Sequence, residues 1–193
     1  MGQGLDRAAR EVGCSEHTLR RYVGDGLLRG RRIVPRQLEI SSEEERYLKS
    51  HWALLRELKA ALRTERDVRL AVLFGSTAIG EDLPESDVDL LISHRSSDQR
   101  RQAGLRLRLR RALGKPVHLV SLEQADASPS LLADVLREGR PLIDRDGLWG
   151  TLQERADEVL AQAAREERST ALQAREAVAA ARARIRHRQS FVR

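Results

Sequence analysis

The chain has 193 residues, 40% hydrophobic and 33% charged, with a net charge of +6. That is room for one medium domain and a small one, and with aromatics at 3% the core must be Leu, Val, Ile and Ala beneath a heavily charged surface. A single cysteine, Cys14, excludes an internal disulfide. No apolar run approaches the roughly 18 residues of a membrane span, and the opening MGQGLDRAAR lacks the apolar stretch of a secretory signal. The expectation is a soluble cytoplasmic protein whose basic excess suits an anionic partner.

In chain order, LDRAAREVG predicts a helix, with Leu5, Ala8, Ala9 and Val12 at helical spacing and Gly13 as its stop. Ser15 is placed to cap a second helix, EHTLRRYVGDG, which buries Leu19 and either Val23 or Tyr22 and stops near Gly24 or Gly26. GLLRGRRIVPRQLEI predicts a small basic hairpin with Gly30 near its tip. Two helices across a tight turn, followed by a basic hairpin, outline a winged helix-turn-helix over residues 1–41.

SSEEERYL places Ser42 three residues before Glu45, the spacing of a capping box, with acids in the first turn. The helix it opens is expected to run to about Thr64 and to bury Leu48, His51 or Trp52, Leu55, Leu58 and Leu62. DVRLAVLF, DVDLLIS and PVHLVSL predict three strands. Between the second and third, SSDQRRQAGLRLRLRRALG alternates like a strand in LRLRLR, but its length and the terminal Gly114 favour a helix. SPSLLADVLREGRPLID predicts a helix ending at Gly139 and then a short extended piece. The order of elements over residues 42–147 implies an α/β layer. Residues 148–193 predict one or two long helices, broken near Ser169 and Thr170. Leu152, Ala156, Val159 and Ala163 form one apolar stripe there, and Leu172, Val178 or Ala179, and Ile185 a weaker one, too thin for a coiled coil.

The chemistry concentrates in LFGSTAIGEDLPESDVDLLI. Alternate residues of a strand share a face, so Asp87 and Asp89 are expected to point together while Val88 and Leu90 are buried. Two adjacent carboxylates repel each other and lose solvation. A divalent ion removes that penalty, and magnesium takes one or two carboxylates together with phosphate oxygens. Gly75 closes the preceding strand and lets the backbone approach a ligand. Ser76 brings a hydroxyl and an N–H at the start of a short helix, STAIG, a place suited to phosphate.

This stretch resembles the signature of the minimal nucleotidyltransferases of the DNA polymerase β superfamily: Gly-Ser, ten residues (Thr77 to Ser86), then Asp-x-Asp. The resemblance covers roughly residues 43–147 and implies an α/β (α+β) nucleotidyltransferase domain with a small mixed sheet flanked by helices. It also implies that Asp87 and Asp89 hold Mg2+, that Gly75 and Ser76 hold the phosphates of an NTP such as ATP, and that a nucleoside monophosphate passes to an acceptor hydroxyl. Two positions depart from the pattern. Ile79 stands where the family carries Arg, and His118 stands where the third strand carries a third acid. Three readings stay open: His118 acts as a substitute base, Glu123 or Asp126 supplies the acid, or the domain is weak or inactive and serves for nucleotide or partner sensing.

The N-terminal AAREVGCSEHTLRRYVGDGLL resembles the winged helix-turn-helix of the MerR type. That resemblance implies Thr18, Arg20, Arg21 and Tyr22 facing DNA, with Arg29, Arg31, Arg32 and Arg36 on the wing, where Arg reads phosphates and guanine edges. It further implies a homo-oligomer on paired half-sites. Similar minimal transferases belong to toxin–antitoxin pairs and act on a cognate toxin protein or on tRNA, and a DNA-binding unit suits autoregulation of the operon.

Overall fold

The computed structural model describes residues 3–34, 37–95 and 99–190. Helix α1 (Gln3–Val12) ends at Gly13 in a left-handed turn, φ +70°. It passes to α2 (Glu16–Gly24), whose cap is Ser15, the Oγ accepting the Thr18 amide. Leu5, Ala8, Ala9, Leu19 and Tyr22 are buried. Strands β1 (Arg31–Val34) and β2 (Gln37–Glu39) follow as an antiparallel ribbon. Its turn, and with it Arg36, lies outside the described residues. Gly30, expected near the tip, instead precedes β1. A Cβ there would sit 2.8 Å from Val23 Cγ1, so close packing at the root of the ribbon demands the glycine.

Helix α3 (Ser42–Thr64) is capped by Ser41, whose Oγ accepts the Glu44 amide at 3.1 Å. The capping box expected at Ser42 and Glu45 is not formed. Glu45 pairs with Arg7, and Glu44 turns inward to Arg140. The expected face is buried, with both His51 and Trp52 in it. The helices and strands that follow are β3 (Val68–Phe74), α4 (Ser76–Ile79), β4 (Val88–His94), α5 (Gln99–Leu113), β5 (Val117–Ser121), α6 (Leu122–Asp126), α7 (Pro129–Glu138), β6 (Arg140–Asp144), α8 (Leu148–Glu154) and α9 (Ala156–Ser190).

The sheet runs in the order β5-β4-β3-β6. β3 is antiparallel to both β4 and β6, and β5 is parallel to β4. This is the small mixed sheet expected, and the short extended piece after Gly139 is its paired edge strand. Its central strands are buried on both faces, hence their unbroken apolar runs. Ala71, Leu73, Val88, Leu90 and Ile92 pack with α1, α2, α3 and α5. Leu70, Val72, Phe74, Leu91 and Val120 pack with α6, α7, α8 and α9. LRLRLR is helical because burial there follows a four-residue period: Leu105 and Leu109 are buried while Leu107 is 48% exposed.

At the C-terminal end the helix break falls at Arg155, between α8 and α9, and the chain is continuous through Ser169 and Thr170. Leu152, Val159 and Ala163 are buried in the apolar layer that includes α7, whereas Leu172 and Val178 are exposed.

Candidate functional site

At the end of β3 the chain turns at Gly75, with φ +71° and ψ −162°, into α4. The register pairs Phe74 with Asp89, and Asp89 with His118. A Cβ on residue 75 would lie 2.8 Å from Asp89 Oδ2. Gly75 is thus required twice, by its positive φ and by the carboxylate against it. Gly75→Ala is expected to lower stability by about 1–3 kcal/mol through backbone strain and to displace Asp89. Thermal unfolding measures the first effect and nucleotide titration the second.

Asp87 lies immediately before β4 and is exposed, rather than within the strand as expected. Val88 and Leu90 are buried, as their alternation required. The approach to Asp87 is fixed by local bonds. Ser86 Oγ accepts the Leu83 amide at 2.8 Å, and buried Thr77 donates its hydroxyl to the Asp87 carbonyl at 3.4 Å. Ser76, part-exposed, opens α4 beside them.

His118 Nδ1 lies 3.1 Å from Asp89 Oδ1, and its side chain is 60% exposed. It therefore occupies the place where the sequence pattern expects a third acid. Glu123 and Asp126 do not fill that place. Both lie on α6, beyond the far end of β5 from His118. Glu123 acts electrostatically on His94, at the opposite end of β4 from Asp89, and Asp126 faces Arg155 at 3.7 Å.

The donor set fits magnesium in part. Two hard carboxylates flank one buried residue beside a glycine cradle, whereas the His118 nitrogen is a poor ligand for that ion. Among the described residues no three His, Cys, Asp or Glu side chains converge on one point. A magnesium site of this kind is completed by phosphate oxygens and water.

The loop after α4 is tied down by residues that sequence reasoning missed. Asp82 Oδ1 lies 2.7 Å from His51 Nε2, and its Oδ2 lies 3.5 Å from Lys115 Nζ. Burial pushes the Asp82 carboxyl up, but the His51 hydrogen bond and the charges of His51 and Lys115 outweigh it and hold the group below its ordinary range. The stability it contributes is therefore complete above the unfolded value near ~3.9 and disappears as pH falls through the lower folded value. Asp82→Asn should flatten that part of the acid limb in a stability–pH series. Tyr47 stacks on His51 with ring centroids 4.4 Å apart, and burial pushes its hydroxyl up to about 12, so it is a neutral phenol. The signal available in sequence for this cluster was faint: a His on the apolar face of α3 and an acid in the polar loop GEDLPES.

In the N-terminal unit the expected DNA-facing residues separate. Tyr22 is only 6% exposed, its ring 5.9 Å from that of Trp52 and 4.6 Å from Lys59 Nζ, so it belongs to the core rather than to a DNA surface. Thr18 Oγ1 lies 2.9 Å from Ser15 Oγ, within the cap of α2. Arg20 pairs with Glu16, and Arg31 with Glu39 at 3.3 Å. Arg29 donates to the Glu138 carbonyl at 3.0 Å, which ties it to the body of the protein. Arg32 is exposed. Exposed Arg21 lies over Tyr22 and lines a cavity of about 540 Å³ together with Lys59, Arg63 and Trp149.

Residues 56–147 match the family described as Polymerase beta, Nucleotidyltransferase. The match begins inside α3. Among solved structures, a mutant toxin–antitoxin MntA–HpeT is 23% identical, with 62% of this chain and 95% of that chain covered and a TM-score of 0.50, which shows a shared fold. A toxin–antitoxin with AMP-PNP is 24% identical, with coverage of 62% and 95% and a TM-score of 0.49. A tri-AMPylated Shewanella oneidensis HEPN toxin in complex with MNT antitoxin is 22% identical, with coverage of 64% and 96% and a TM-score of 0.47. No curated protein matches the chain.

Proposed function

We propose that this chain is a Mg2+-dependent nucleotidyltransferase that moves a nucleoside monophosphate from an NTP, ATP in the first instance, to a protein or RNA acceptor, and that its N-terminal unit binds DNA. The observation that carries the transferase reading is the contact between the phosphate turn and the carboxylates: a Cβ on Gly75 would touch Asp89, and Asp87 stands two residues away. In this reading Gly75 and Ser76 orient the β- and γ-phosphates. An acceptor hydroxyl attacks the α-phosphorus in line, the new O–P bond forms, and the bond to the β-phosphate oxygen breaks to release pyrophosphate. Magnesium bound by Asp87 and Asp89 would neutralise charge on the attacking and leaving oxygens. Asp89 holds His118 Nδ1, which leaves Nε2 as the atom to take the acceptor proton. The remaining rate comes from positioning.

The test is transfer of label from an α-labelled NTP to candidate acceptors with magnesium. A cognate toxin is the first acceptor to try, since the MntA–HpeT structure that shares the fold is a toxin–antitoxin pair; tRNA is the second. His118→Ala should lower transfer by about 10²-fold, the low end for general acid–base groups. His118→Asp decides between two readings. A loss of transfer makes the imidazole functional. A gain shows that the natural chain is weakened at its third acidic position and favours the other reading, a DNA-binding regulator whose transferase domain senses a nucleotide or partner.

The DNA reading is supported by the helix–turn–helix order of α1 and α2, the ribbon behind them, and the exposed Arg21, Arg31 and Arg32. Arg21→Ala and Arg32→Ala should each weaken binding to operator DNA and reduce the slope of log K against log salt by about one unit. Unchanged binding in both would remove this surface from consideration. Binding to paired half-sites would make the protein a homo-oligomer on DNA, which sedimentation measures.

A further inference from the structure

Arg140 opens β6, is 1% exposed, and has no part in the chemistry above. Its Nε donates to the Ala78 carbonyl of α4 at 2.6 Å. Nη1 donates to the Leu27 carbonyl of the N-terminal unit at 3.0 Å and to Glu44 Oε1 at 2.6 Å. Nη2 donates to Glu44 Oε2 at 3.0 Å. The guanidinium lies 3.6 Å from the centre of the Tyr47 ring. Glu44 Oε1 also accepts the Arg29 amide at 3.0 Å. One planar group therefore joins the helix behind the phosphate turn, the segment Leu27–Arg29, the start of α3, and an edge strand.

An arginine is expensive to bury, and this one meets a bidentate carboxylate and two carbonyls. Fork geometry fixes directions as well as distances, which a lysine ammonium does not. If α4 moves when its first turn takes up phosphate, the Ala78 carbonyl moves against Nε. The same rigid plane then bears on Leu27 and, through Glu44, on the Arg29 amide. We propose that Arg140 is a positioning residue that couples the nucleotide turn to the N-terminal unit, so that occupancy of Gly75–Ser76 is registered at Leu27–Arg29. The proposal rests on the reading of that turn as the nucleotide seat. Coupling of this kind is reciprocal: whatever binds the N-terminal unit changes nucleotide affinity by the same factor.

Amide hydrogen exchange on the full chain, with and without magnesium and a non-hydrolysable ATP analogue, tests it without an acceptor or an operator. In the wild type, analogue should slow exchange over 75–80 and also at Leu28 and Arg29. In Arg140→Lys, protection at 75–80 should persist at saturating analogue, with Kd raised about tenfold, while the response at 28–29 disappears. A purely structural arginine would lower the denaturation midpoint and leave the response at 28–29 intact, and that result overturns the proposal. Protection at 75–80 without any at 28–29 in the wild type also overturns it. No protection at 75–80 in the wild type removes the nucleotide seat itself, and the coupling with it. Should Arg140→Lys not fold, Glu44→Gln carries the same measurement, since it keeps the shape of the carboxylate and loses one side of the fork.

Discussion

Asp89→Asn is expected to reduce kcat for nucleotidyl transfer by at least about 10²–10³-fold, the loss typical of removing one group that stabilises transition-state charge. Asn keeps the size of Asp, so the strand, its register and the buried Val88 and Leu90 should be undisturbed. What disappears is a negative charge set between the Gly75 turn and His118. Asp87→Asn should act in the same direction. It lies just outside β4 and is more exposed, so its variant should fold with even less disturbance. Both variants should bind operator DNA as the wild type does, because neither residue touches the N-terminal unit. Single-turnover transfer and DNA titration on the same preparations check both halves. Wild-type transfer in Asp89→Asn would end the metal-site reading.

Glu44→Ala should produce the largest loss of stability, about 3–5 kcal/mol, because it leaves the Arg140 charge buried without its carboxylate. The pair is almost dry, with side-chain exposures of 2% and 5%. The Arg29 amide would lose its acceptor in the same step. Against a total stability of about 5–15 kcal/mol this is a major fraction, visible as a lower urea midpoint. A double variant, Glu44→Gln with Arg140→Met, should recover part of the loss because it removes the charge altogether. It should not recover all of it, since the Ala78 and Leu27 carbonyls lose their Arg140 donor in that variant.

The parts of this molecule that can be read in the sequence are those set by local pattern. Continuous apolar runs mark strands buried on both faces, and the Gly-Ser to Asp-x-Asp spacing brings the turn and Asp89 together because β3 and β4 are neighbours. What the pattern missed depends on partners distant in sequence. Ser41 rather than Ser42 caps α3, with Glu44 committed to an arginine 96 residues away. Tyr22 has the composition of a DNA-contacting residue, but Trp52 and Lys59 cover it. The helix break at Arg155 rather than at Ser169 reflects where α7 offers a surface to Val159 and Ala163, not the local propensity of a Ser-Thr pair. His118 is intermediate: its place beside Asp89 could be aligned from sequence, but its hydrogen bond could not.

The bond from Arg140 to Leu27 spans 113 residues of chain. On the ribosome the first helices are made long before the edge strand that receives them. Until β6 exists, the Leu27 carbonyl and the Glu44 carboxylate have no guanidinium to meet and stay in water. Closing so long a loop carries an entropic penalty that only the finished sheet offsets. The N-terminal unit, first in the chain, should thus be among the last parts to lock. A nascent chain stopped before residue 140 would hold its N-terminal helices against α3 but without the Arg140 bond that ties Leu27 to the sheet.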